Sequence, residues 1–326
     1  MSIHRTQATA AAILLIPIAL ACRDRAGSVD VATPAGAVVS ASVPATSTDS
    51  AVGSHASDAP VSYADAEQAF QRRSYGEASQ LFDSYRRQHA DNPWGHYMYG
   101  LSAWRAGSPQ DAMTGFDEAL RLDPDHRKSL FNSARVLLET GQPGQALERI
   151  ERALSLEPLS AEGHRLLGRA RVELGQFDEA IDAYQRAITI DDRDVWSMNN
   201  LGLLYIQQGQ SEDALLPLAR AVELRSDSPV FQNNLGTALE RTGHVLEAKQ
   251  AYEAAVTADS GYTKAVSSLA RITPLVQPGD TSTIDLAEAS REFQAEVSRL
   301  RDTAVGQDSV TVQASAGETP PDSSAR

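Results

Sequence analysis

Two copies of Asn-Asn-Leu-Gly stand in this chain, Asn199 to Gly202 and Asn233 to Gly236, 34 residues apart. Asn132 falls in the same phase as Asn200 and Asn234, with one beat missed at Leu166. A side-chain amide carries both a donor and an acceptor, so it matches a peptide unit whatever side chain that unit bears. A regular column of amides therefore suits an extended peptide. The cations Lys128, Arg135, Arg165 and Arg169 lie in the same region, and an arginine fork pairs with a carboxylate bidentately. The chain's 3 tryptophans are Trp94, Trp104 and Trp196. Its single cysteine, Cys22, excludes an intrachain disulfide and directly follows an apolar run.

Catalytic patterns are missing. The 7 histidines are scattered, and no histidine or cysteine pair has metal-ligand spacing. No glycine-rich phosphate loop, nucleophile elbow or His-Glu-x-x-His run occurs. The acids of Asp191-Asp192-Arg193-Asp194 lack the glycine and later glutamate of a calcium loop, so they are expected to form a solvated turn. His96 and His164 share a phase that suits packed core histidines. No cofactor and no enzymatic activity are expected. A net charge of −14 argues against a general nucleic-acid binder, which needs a basic footprint.

The elements that position these residues follow from the 34-residue period. Small residues recur at Gly100, Ala134, Gly168, Gly202, Gly236 and Ala270. Glycines recur at 107, 141, 175, 209 and 243, and alanines at 112, 146, 180, 214 and 248. Between them run apolar residues at helical spacing. The second glycine series suits a left-handed residue at the end of a first helix. Pro109 and Pro143 suit the start of a second helix, where a missing amide N–H costs nothing. Pro217 falls inside its helix, predicting a shortened or kinked start there.

This pattern resembles the tetratricopeptide repeat. The resemblance implies an all-α, right-handed α-solenoid of helix–turn–helix units, flanked by disordered segments. Its repeats are placed at 59–92, 93–126, 127–160, 161–194, 195–228 and 229–262, with a half repeat at 263–275. Residues 276–306 are assigned to a linker and an amphipathic helix with Leu286, Phe293, Val297 and Leu300 on or near one face. That helix suits capping the stack, lying in the groove, or binding a partner. Residues 307–326 are expected to be a disordered tail.

Family geometry turns the first helix of each pair toward a concave groove. It would then present Trp94, Tyr97, Trp104, Lys128, Asn132, Arg135, Arg165, Arg169, Trp196, Asn199, Asn200, Asn233 and Asn234. A protein or peptide partner is implied, and an acidic segment is favoured by the cations. The same asparagines also suit bonds to a neighbouring helix, and the aromatics suit burial between repeats. Both roles stay open here.

The N-terminus reads as an address. Residues 8–21 are uncharged and apolar, too short for a membrane span of roughly 20 residues and matched to a signal-peptide core. The run Ile18-Ala19-Leu20-Ala21-Cys22 resembles a bacterial lipobox, which implies cleavage at 21 and acylation of Cys22. Residues 22–58, rich in Ala, Ser, Thr, Val and Pro, cannot bury enough surface to order themselves. They are expected to form a tether reaching about 30–36 Å on average. The combined expectation is an exported, membrane-anchored scaffold of the bacterial cell envelope, for example in pilus or envelope assembly. An accessory regulator of a cell-wall or protease complex is the alternative, and an enzyme with an unrecognised site ranks last.

Overall fold

The computed structural model describes residues 61–316, with side chains up to Thr303. The signal-like segment, Cys22 and the whole tether lie outside the described residues. Among those residues there are 14 α-helices and no strand. They fall in pairs: α1 (Tyr63–Gln71) with α2 (Tyr75–Gln88), α3 (Pro93–Arg105) with α4 (Pro109–Leu122), α5 (Arg127–Glu139) with α6 (Pro143–Leu156). The series continues with α7 (Ala161–Glu173) and α8 (Phe177–Ile190), α9 (Val195–Gln207) and α10 (Ser211–Leu224), α11 (Pro229–Arg241) and α12 (Val245–Ala258). Helix α13 (Thr263–Ile272) has no second helix; a short 3-10 turn, Thr273–Leu275, follows it. Last comes α14 (Leu286–Ala316). From α1 to α13 each helix packs on the next, and each first helix touches the first helix of adjoining pairs from α3 to α13.

Local chemistry sets these boundaries. From α3 to α11 the residue before each first helix is a cap in the same phase: Asn92, His126, Ser160, Asp194 and Ser228 accept from backbone amides of the first turn. Proline opens α3, α4, α6 and α11. The turn glycines 107, 141, 175, 209 and 243 all have positive φ. The first repeat puts Arg73 at that position with φ 62°, a conformation that strains a side-chain-bearing residue by about 1–2 kcal/mol. Inside each pair the recurring small residues are fully buried, Ala112 and Ala119 against Phe116, Ala180 and Ala187 against Tyr184.

Three expectations change. Helix α10 is not shortened by Pro217, since it starts at Ser211 in phase with its equivalents. The buried neighbours Ala214, Leu218 and Ala221 hold it in the stack and outweigh the local cost of the missing N–H. Helix α14 neither caps the stack nor lies on the first-helix face. It packs on the second helices α10 and α8, two pairs back from the end. The linker is carried back because buried Glu247 accepts from the Thr283 N–H and from Ser282 Oγ (2.8 Å). His244 Nδ1 adds a 2.6 Å bond with Thr283 Oγ1. Helix α14 also runs past 306 to Ala316, in a stretch with no proline before Pro320 and no glycine between Gly306 and Gly317.

Candidate partner-binding face

The first helices from α3 to α13 run side by side, and every proposed groove residue belongs to one of them. Their side chains divide into two groups with different chemistry.

The middle of the face is stitched by bonds that span one repeat. Asn132 Nδ2 donates to the Tyr97 hydroxyl (3.2 Å), and Arg135 Nη1 donates to Asn132 Oδ1 (2.6 Å). Arg135 also pairs with Glu162 of the next first helix. Arg165 pairs with Asp194 (2.7 Å), and Arg169 with Glu173 one turn along (3.1 Å). Asn234 Nδ2 donates to Asn199 Oδ1 (3.0 Å), and Arg241 donates to the Ile206 carbonyl (2.7 Å). Asn200 is the hydrogen-bond partner of the fully buried Tyr184 phenol, whose pKa is pushed up by burial. Burial likewise raises the Tyr97 phenol and lowers the Arg135 guanidinium, each opposed by the partners just named.

These contacts give the asparagine column an internal role, while the buried Oδ1 atoms of Asn233 and Asn234 have no hydrogen-bond partner among the described residues. Asn199 and Asn234 are 0% exposed, Asn200 4%, Asn233 6% and Asn132 8%. A ligand lying on this face reaches neither Asn199 nor Asn234 without displacing packed helices. The amides that sequence phase assigned to a peptide backbone are turned to each other, to Tyr97 and to Tyr184. Replacing Asn234 by alanine is expected to destabilise the chain by about 1–2 kcal/mol in urea unfolding, because it orphans the buried Asn199 amide oxygen. Unchanged stability with lost partner binding would return that residue to a ligand role.

The run 191–194 does form a turn with Asp191 exposed, as expected, but Asp194 is not solvated. Asp194 is 4% exposed; it caps α9 through the Trp196 and Ser197 amides (both 3.2 Å) besides holding Arg165. Asp191 Oδ1 accepts from the Arg193 N–H, and Asp192 receives Arg301. His96 is packed as expected, its Nε2 3.1 Å from the Ala90 carbonyl. His164, half-buried, makes the equivalent contact to Pro158 at 2.9 Å, and Gln232 repeats it toward Ser226 at 3.0 Å.

The N-terminal end of the face is different. Trp94 is exposed and lies tilted against Tyr97 (5.1 Å between ring centres) and edge-on to His126 (5.4 Å). Its indole N–H donates to the Tyr63 hydroxyl (2.9 Å), and exposed Lys128 places Nζ 4.9 Å from its ring. Among the described residues no acid pairs with Lys128. Trp104, half-buried, donates to exposed Glu139 (2.8 Å). Trp196 lies farther along, half-buried edge-on to Phe231 (5.1 Å), with the Arg225 guanidinium 5.2 Å from its ring. Tyr63 was missed as a site residue, although it stands 34 before Tyr97 and so shares its phase.

Among the described residues no group of three or more His, Cys, Asp or Glu side chains is placed to hold a metal. None of the described helices is long and apolar enough to cross a membrane.

Paired helices stacked with a constant period, carrying an aromatic and cationic patch on the first-helix face, define an α-solenoid scaffold for protein–protein interaction. Models of the tetratricopeptide repeat match residues 63–127, 131–195, 183–215 and 231–262, and the chain belongs to this family. Similar solved structures include MamA 41-end from Desulfovibrio magneticus RS-1, at 26% identity, covering 50% of this chain and 92% of that one with TM-score 0.48. The Pseudomonas aeruginosa pilF structure is 16% identical and covers 68% of this chain and 97% of that one, TM-score 0.52. The Cut9–Hcn1 hetero-tetramer of APC/C is 14% identical, covering 64% and 41%, TM-score 0.57. Only the last two exceed a TM-score of 0.5, and they show the fold alone. Comparison with curated proteins finds no match.

Proposed function

We propose that this chain is a lipid-anchored scaffold of the bacterial cell envelope that captures an acidic segment of a partner protein on its first-helix face. It acts by binding rather than catalysis, in an assembly process such as pilus or envelope construction. The observation that carries the binding reading is Trp94, 38% exposed at the centre of Tyr63, Tyr97, His126 and Lys128. Large aromatic residues with an adjacent cation are the side chains that dominate partner contacts. The arginines farther along are held by Glu162, Asp194 and Glu173, so the acidic segment is assigned to Lys128 and the aromatic end. The anchor rests on the lipobox-like run ending at Cys22.

The test is capture from envelope extracts by the full chain. Trp94→Ala with Lys128→Glu is expected to reduce recovery of the main partner at least about ten-fold, the scale of a hot-spot loss. Lys128 is exposed, but Trp94 holds Tyr63 and packs on Tyr97 and His126, so a loss of about 1–2 kcal/mol is expected and recovery is compared on chain shown by circular dichroism to be folded. Equal recovery by the double variant sinks the assignment. In the same cells Cys22→Ala should abolish palmitate incorporation and release the chain from the membrane fraction; an unlabelled native chain removes the anchor.

A further inference from the structure

Helix α14 is a poor fit to the seam it occupies. Only Ala289, Phe293 and Val297 of its apolar stripe are buried, while Leu300 remains 43% exposed. Beneath it, between α8 and α10, lies a cavity of about 120 Å³, bordered by Ile188, Leu216, Pro217 and Phe293. This space is partly open to solvent, and the apolar side chains on its walls lack packing partners across it. Two carboxylates, Glu296 of α14 and Asp213 of α10, border the same space, and no cation pairs with either among the described residues. Both add to raising the half-buried Tyr205 phenol, after burial itself. Both carboxylates are exposed, and Asp213 leaves a negative charge at the border of the seam that a cation on an occupant would pair.

The polar ends of the seam fit far better. Ser290 Oγ donates to Glu223 at the C-terminal end of α10. Arg301 donates through Nε to the Thr189 carbonyl (2.9 Å) near the end of α8, and its Nη1 pairs with Asp192 (3.3 Å). A cation at a helix C-terminus is favoured by the carbonyls and the helix dipole.

We infer that the α8–α10 seam is a second docking site, for a basic amphipathic helix of a partner protein, and that α14 occupies it in cis as a displaceable strap. The α14 pattern specifies the ligand class: apolar residues at four-residue spacing, a cation near Asp192, and, unlike α14 itself, a cation or bulky apolar group facing Asp213. The partner enters by releasing α14, which the linker held by Glu247 keeps close by.

A labelled peptide of residues 284–303, added in trans, reads the seam directly. The full chain carrying Phe293→Ala and Val297→Ala, whose own strap is loosened, is expected to bind this peptide at least about ten-fold more tightly than the native chain. The peptide with Glu296→Arg should bind about two- to five-fold more tightly still, the increment of an exposed ion pair. Placing Glu296→Arg in the chain instead should strengthen the strap and reduce capture. Leu216→Arg should abolish it. If the double variant unfolds, Ser290→Ala with Arg301→Ala loosens the polar ends only and must give the same order of affinities. Equal binding to native and loosened chains, or tighter binding of the unsubstituted peptide than of its Glu296→Arg form, overturns the inference. So does a native chain that light scattering shows to be a dimer exchanging α14, since a second copy is then the occupant.

Discussion

Gly115→Ala is expected to destabilise the N-terminal repeats by about 3 kcal/mol, at the upper end of the range for overpacking a tight contact. A Cβ at 115 would lie 2.5 Å from the Gly100 nitrogen, and 2.7 Å from the Gly100 Cα and the His96 carbonyl oxygen. All three atoms belong to the backbone of α3, so no rotamer change relieves the clash. The contact is reciprocal, because a Cβ at Gly100 would meet the Ala112 carbonyl oxygen at 2.8 Å. Helices α3 and α4 therefore cross at a distance that neither glycine can enlarge without opening the pair. Later pairs are more forgiving. A Cβ at Gly202 meets the Leu218 side chain, and one at Gly168 or Gly236 meets a tyrosine ring. Gly144→Ala is the control: nothing lies within 4 Å, and the gain in helix preference is at most about 1 kcal/mol. Urea unfolding of both variants checks the pair. A Gly115→Ala chain within about 0.5 kcal/mol of the native one would mean that the α3–α4 crossing is looser than described.

The second large effect is expected at Asp194. Its carboxylate is 4% exposed, accepts from two amides of α9 and from Ser197 Oγ (2.7 Å), and pairs with Arg165. Asp194→Ala removes a helix cap, which by itself costs about 1 kcal/mol. It also leaves the Arg165 guanidinium, its side chain 15% exposed, without its acid. Breaking one side of a buried pair commonly costs about 3–5 kcal/mol, and the residual exposure of Arg165 discounts that figure. The sum expected is about 3 kcal/mol. Asp194→Asn keeps an acceptor for the cap and loses the charge, so it should fall between, near 1–2 kcal/mol. Thermal unfolding of the two variants separates the contributions. Equal losses would mean that the charge, and not the cap, sets the effect.

Asp194 also shows how far the sequence could be read. As part of a run of acids it suggested a solvated turn. Its phase with Asn92, Ser160 and Ser228 was visible all along and marks a capping position. The partner that buries it, Arg165, stands 29 residues earlier, and no helical spacing connects the two. The asparagines behave alike. Their phase was legible, and phase correctly placed them on the first helices. Whether an amide at that phase faces ligand or neighbour depends on how closely successive first helices approach, which puts Asn199 within 3.0 Å of Asn234. Tyr63 belonged to the same legible phase as Tyr97, but the divergent first repeat concealed its place beside Trp94.

The sequence by itself determined the period, the helix pairs, the turn glycines and the small residues at the crossings. These depend on backbone sterics and on apolar spacing within one unit of 34 residues, so each unit states them again. Only the tertiary structure decided which polar side chains are satisfied internally and where α14 rests. The first depends on bonds between neighbouring repeats. The second joins Arg301 to Thr189 across 112 residues and leaves Asp213 and Glu296 at the border of one pocket, with no cation paired to either among the described residues. No repeat encodes such a contact, because a stack fixes the relation of each unit to its neighbours and leaves a free helix to settle wherever the seam between two others buries its apolar stripe.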